Sequence, residues 1–183
     1  MLEKQKAVQA KVKVCLVGDE GVGKTSLIRR FVSSIYDDSY IRTVGTGVSK
    51  RDVDMSDEGY IVTMLIWDIM GRRDFIQLFK DAYFKHAKGV MAVFDTTRRK
   101  TLDSLTEWVG NVKSTVGDVP TIVLANKSDL EDEYEASDQD IESAVSDKSF
   151  MWLYTSAKTG HNVELAFREL ASEMLKKFSP EPM

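Results

Sequence analysis

Apolar and polar positions along the chain switch between two periods, one suited to strands and one to helices. The run VKVCLVG (12–18) is β-rich, unbroken and stopped by glycine, so it predicts a buried strand. Residues 24–34 carry Leu27, Ile28 and Phe31 at helical spacing. VSKRDVDM (48–55) and YIVTMLIWD (60–68) flank a turn at Asp57–Gly59, which is a hairpin signal. Beyond it the pattern predicts helix over 75–87, strand over 89–95, helix over 101–116 and strand over 120–126. A helix over 138–149 with Asp138 as cap, a strand over 151–157 and a helix over 163–177 capped by Asn162 complete the series. Continuous apolar strands alternating with helices predict an α/β fold: a mostly parallel sheet covered on both faces, with the hairpin as its antiparallel edge.

Composition narrows the class without changing that picture. The 183 residues favour one domain that buries a full core without disulfides or metals. With 25 basic against 29 acidic residues the net charge is −4, so no nucleic-acid partner is expected. Cys15 is the one cysteine and reads as a small buried hydrophobe of a reducing compartment. No apolar run approaches the roughly 18 residues of a membrane span. Leu2 and the ending SPEPM match neither a myristoylation nor a prenylation pattern, so a cytoplasmic chain without a direct lipid anchor is expected. Residues 1–10 read as a flexible tail, 11–178 as the domain and 179–183 as a second tail. The acidic stretch 130–140 reads as a solvated loop entering a helix.

Gly18-Asp19-Glu20-Gly21-Val22-Gly23-Lys24-Thr25 fits the phosphate-loop pattern GxxxxGK[ST], between a predicted strand and a predicted helix as that motif requires. Glycines let consecutive N–H groups curl around an anion, and the helix N-terminus adds a favourable dipole. Glu20, Gly21, Val22, Gly23, Lys24, Thr25 and Ser26 are therefore candidate nucleotide-binding residues. Lys24 is suited to the β- and γ-phosphates, and the Thr25 hydroxyl to Mg²⁺. Asn126-Lys127-Ser128-Asp129 ends the 120–126 strand and selects the base. A carboxylate at Asp129 accepts two parallel hydrogen bonds, matching the N1–H and 2-amino donors of guanine, whereas adenine presents the opposite pattern.

GDEGVGKTSLIRRF, SYIRTVG, WDIMG, NKSD and TSAK occur in an order that resembles the Ras-superfamily small GTPases, nearest to the Rab branch, over about residues 11–178. The resemblance implies a single G domain with a six-stranded, mostly parallel sheet, strand 2 antiparallel, and five helices. It implies GTP or GDP as ligand with Mg²⁺ held by Thr25, Thr43 and, through water, Asp68. Gly71 corresponds to the family glycine whose N–H meets the γ-phosphate. Tyr36 corresponds to an aromatic ring against the guanine, and Tyr40 to a tyrosine covering the phosphates. Ser156-Ala157-Lys158 resembles the loop that meets the guanine oxygen. Read without the resemblance, Tyr36 is a helix-end aromatic, Thr43 a loop threonine and Asp68 a turn residue. Trp67 reads as core or effector-facing surface, and Trp108 and Trp152 as packing residues. Protein effectors, with exchange or activating factors, are expected on residues 36–50 and 67–84 of a monomer.

The pattern departs from the family where chemistry is concerned. Well-hydrolysing members carry WDTAGQE; here the segment is Trp67-Asp68-Ile69-Met70-Gly71-Arg72-Arg73. Arg72 replaces the water-positioning glutamine, and Glu20 stands in the phosphate loop where Gly or Ser is usual. Lys24 and Thr43 are the candidate catalytic groups, with Arg72 either a built-in arginine finger, a partner of Glu20, or simply solvated. Slow GTP hydrolysis is expected. The alternative is a hydrolysis-deficient, GTP-bound module that holds effectors constantly. A P-loop kinase is a distant third, because no substrate-lid segment is evident.

Overall fold

The computed structural model describes residues 7–34, 46–145 and 150–178. Six strands, β1 (Val8–Val17), β2 (Thr46–Met55), β3 (Tyr60–Ile69), β4 (Ala87–Asp95), β5 (Thr121–Asn126) and β6 (Met151–Thr155), form one sheet in the order β2-β3-β1-β4-β5-β6. All neighbouring pairs are parallel except β2 with β3, the predicted hairpin. Its turn is a short 3-10 segment, Ser56–Glu58, closed by Gly59.

Alternation along β1 explains the two-sided core. Val14 and Leu16 face the cluster shared with α1 (Lys24–Ser33) and α6 (Val163–Phe178), where Phe31 and Phe167 stack with ring centroids 3.8 Å apart. Cys15 and Val17 face the opposite cluster, under Phe84 of α2 (Arg73–Phe84), Leu102 of α3 (Arg99–Asp103), Trp108 of α4 (Leu105–Val116) and Ile141 of α5 (Asp138–Val145). Helices thus cover both faces, as the continuous apolar strands predict. None of the described helices is long and apolar enough to cross a membrane.

Three local features differ from the sequence expectation. β1 starts at Val8, because Val8–Ala10 pair with Tyr60–Val62 although their side chains lack strict alternation. The expected helix over 101–116 is two helices meeting at Ser104, whose Oγ lies 2.8 Å from both Lys100 O and Asp19 Oδ2; its one proton serves either. α5 is opened by Ser137, whose Oγ receives the Asp140 N–H while Asp140 Oδ2 accepts the Ser137 N–H, a reciprocal cap that leaves Asp138 inside the helix. Asn162 stands where expected, at the start of α6, its O accepting the Ala166 N–H at 2.9 Å, while its side-chain amide donates to Tyr154 O at 2.9 Å and ties the end of β6 to the helix.

Candidate functional site

Five parallel strands end on the same side of the sheet, where ligands of open α/β folds gather. The loop Gly18–Gly23 joins β1 to α1 there, and close packing bars a side chain at Gly18, where a Cβ would strike Val93 O, and at two further points. Gly23 has φ +100° and a Cβ on it would overlap the Asn126 amide. Gly71, just after β3, lies flat against the Asp19–Glu20 backbone, and any Cβ would strike the Glu20 nitrogen.

Lys24 begins α1 and is buried, its Nζ 2.7 Å from Gly18 O and 2.8 Å from Asp19 O. The amine therefore lies along the loop, in reach of any anion that the loop encircles. Desolvation lowers its pKa to about 8, against the opposing pull of Asp68, Asp19 and Glu20. Thr25 Oγ1 donates to Asp68 Oδ2 at 2.5 Å. Burial raises the pKa of Asp68, a shift that the Thr25 hydrogen bond and the charges of Lys24 and Arg29 oppose. Asp68 Oδ1 is buried and has no hydrogen-bond partner among the described residues. An unsatisfied buried carboxylate oxygen beside a hydroxyl suits a hard dication that takes its other ligands from phosphate and water.

The base end is built from β5, β6 and α1. Asn126 is buried and donates from Nδ2 to Val22 O at 2.8 Å, joining the NKSD segment to the phosphate loop. Ser156 Oγ donates to Asp129 Oδ1 at 2.5 Å and so fixes the rotation of that carboxylate. Arg30, two turns into α1, donates to Ala157 O at 2.8 Å and to Lys158 O at 2.5 Å. Together Gly23, Ser26, Asn126, Lys127, Asp129, Ala157 and Lys158 line a pocket of about 250 Å³ with Leu130 at its side.

The structure thus brings together Glu20 through Ser26, Asp68, Gly71, Asn126, Lys127, Asp129 and Ser156–Lys158. Arg72 is exposed and caps α2 from an extended conformation, next to Gly71. Tyr36, Tyr40 and Thr43 lie outside the described residues. Trp67 is half-buried, with Lys13 Nζ 3.7 Å above its ring.

Three side chains at this site carry no motif. Asp95, ending β4, is sealed from solvent. Burial pushes its pKa up, yet hydrogen bonds from Lys127, Thr97 and Arg98 outweigh that and hold it below the usual carboxylate range. Arg98 reaches back to the phosphate loop, and Trp108 donates to Asp19. An acid at the end of a buried strand, matching Asp68 on β3, was the signal that could have found Asp95.

The chain is similar to known proteins over most of its length. The Ras family model matches residues 13–176. Ras-related protein Rab-8B of Homo sapiens is 34% identical over 168 residues, which cover 91% of this chain and 80% of that protein. Ras-related protein Rab-8 of Diplobatis ommata is 34% identical, covering 91% and 79% respectively. Ras-related protein Rab-8A of Mus musculus is 33% identical over 166 residues, covering 90% and 79%.

Proposed function

Because the chain belongs to the Ras family and is a GTP-binding switch GTPase, we propose that it binds GTP and GDP with Mg²⁺ and hydrolyses GTP slowly. The observation that carries this reading is the convergence of the Lys24 amine, the Thr25–Asp68 pair and the Asp129 pocket along one loop. Asp129, oriented by Ser156, accepts the guanine N1–H and 2-amino hydrogens. Lys127 and Asn126 wall the base, and the Ala157 N–H meets its oxygen. Glu20 through Ser26 offer backbone amides to the phosphates, and Lys24 places its charge beside the β- and γ-groups. Thr25 and Asp68 are the residues that would hold magnesium, with Thr43 joining in the triphosphate state. Bound there, the ion neutralises charge building on the phosphates.

Gly71, seated on the loop, supplies an amide for the γ-phosphate. Loss of that phosphate frees it and Thr43, so residues 36–50 and 67–84 change order and protein effectors are released. Tyr36 and Tyr40 would close over the base and phosphates.

Slow chemistry follows from Arg72. Glutamine can accept from and donate to an attacking water, while guanidinium only donates and cannot take its proton. Carried further, the same replacement gives the second reading, a GTP-held effector-binding module. Single-turnover GTP hydrolysis on protein of verified nucleotide content separates the two. Bound GDP with slow turnover supports the switch, retained GTP supports the constant module, and no guanine nucleotide binding defeats both.

A further inference from the structure

A chain of contacts joins the two ends of the site behind the loop. Lys127 Nζ lies 2.6 Å from Asp95 Oδ2, and Arg98 Nε lies 2.8 Å from the same oxygen. Thr97 completes the carboxylate, its N and Oγ1 lying 3.0 Å and 2.7 Å from Oδ1. Arg98 then spends its other arm on the phosphate loop, with Nη2 3.1 Å from Glu20 O. One guanidinium therefore spans a buried acid and a backbone carbonyl of the loop, a reach that its planar fork provides.

The consequence lies in the geometry of the peptide group. A trans peptide is planar, so its C=O and the following N–H point in opposite directions. With Glu20 O drawn to Arg98, the Gly21 N–H points away from Arg98. Asn126 does the same to the peptide two residues on, since its grip on Val22 O turns the Gly23 N–H away from Asn126. Two amides of the loop are thus aimed before any anion arrives. The Asn126 clamp lies within a motif; the Arg98 clamp lies within none. Asp95 shares its one charge between Arg98 and Lys127, so this side chain acts on an anion by direction as well as by charge.

We propose that Arg98 is a positioning residue for the terminal phosphates: it holds the Glu20–Gly21 peptide in its binding orientation and, through Asp95, keys that orientation to Lys127 of the base motif. The proposal rests on the guanine-nucleotide reading above. It requires the loop amides to matter most for a ligand with a second phosphate, so GDP and GMP respond differently.

The test is equilibrium binding of GDP and GMP to the full chain and to Arg98→Gln and Arg98→Lys, with melting temperatures recorded alongside. Losing a hydrogen bond from a charged donor weakens GDP about tenfold in both variants. GMP affinity stays within about twofold of the parent in both, on the same principle. The lysine variant keeps the ion pair with Asp95 and the fold, yet one ammonium cannot reproduce the fork. An unchanged GDP-to-GMP ratio in Arg98→Gln, or a proportional loss of both ligands, overturns the proposal. Full retention of the parent ratio by Arg98→Lys overturns it too, because charge alone then suffices. If the parent itself binds no GDP, the guanine-nucleotide reading fails, an outcome distinct from these.

Discussion

The indole Nε1 of Trp108 lies 2.8 Å from Oδ1 of Asp19, a contact between residues 89 apart in sequence. Asp19 is an acid inside a loop whose geometry suits anions. Turning its carboxylate onto Trp108 and Ser104 points that charge into the α4 side of the molecule.

Trp108→Phe keeps the apolar ring and removes the donor. Losing a hydrogen bond to a charged acceptor costs about 1.5–3 kcal/mol. Urea denaturation should show that loss, and GDP should bind more weakly because the Asp19 charge is freed near the phosphates. Unchanged stability and affinity would mean that the indole hydrogen bond is incidental.

Asp129→Asn exchanges an acceptor-only group for one that also donates. Guanine should then lose its two parallel bonds and xanthine should gain, so XDP comes to compete with GDP. Competition titration against both nucleotides reads the exchange. A variant that binds GDP as tightly as the parent refutes the base-pocket assignment.

Lys24 gives opposite pH trends in two measurements. With the nucleotide-free pKa at about 8 and the ordinary value at 10.5, the unfolded chain holds more protons than the folded one between them, so stability contributed by Lys24 rises with pH across that window. A bound polyphosphate raises the amine's pKa, so GDP binding takes up a proton and affinity falls as pH climbs above about 8. Calorimetry at pH near 9 in two buffers of different ionisation enthalpy measures the uptake. Lys24→Met should abolish it.

Burial raises the pKa of Asp68, so on acidification a proton competes with a metal ion for its carboxylate. Magnesium should therefore weaken on acidification, starting above the ordinary carboxylate range. Chelation by EDTA should speed GDP release about tenfold or more, the factor that a lost charge-assisted contact gives. Asp68→Ala should release GDP at the fast rate whether or not magnesium is present.

Arg72→Gln should match or exceed the parent in single-turnover hydrolysis, since it restores an acceptor for water. Arg72→Ala should change little. A tenfold or greater fall in the alanine variant, with GDP affinity intact, would make Arg72 the finger and reverse the expectation of slow chemistry.

The parts of the site that were legible in sequence are those whose chemistry is local. Gly18–Thr25 and Asn126–Asp129 each announce their chemistry by residue type and spacing within one short segment, and unbroken apolar runs marked the central strands. Arg98, Asp95 and Trp108 escaped because their work is done with partners that only tertiary folding supplies, Glu20 lying 78 residues from Arg98. The break at Ser104 escaped for the same reason: its hydroxyl is close to a loop that the helical period does not see. At α5 the signals were local but competing, since Ser137 and Asp138 are both good caps and Asp140 decided between them.

Arg30 grips carbonyls 127 and 128 residues further along the chain. Closing so long a loop is entropically expensive and waits on the sheet between. During synthesis the phosphate loop and α1 emerge well before β6 and the segment that Arg30 seizes. Ser156 therefore does not exist to aim Asp129 until most of the sheet has been made. On the guanine-nucleotide reading, discrimination among bases would wait for β6 to dock.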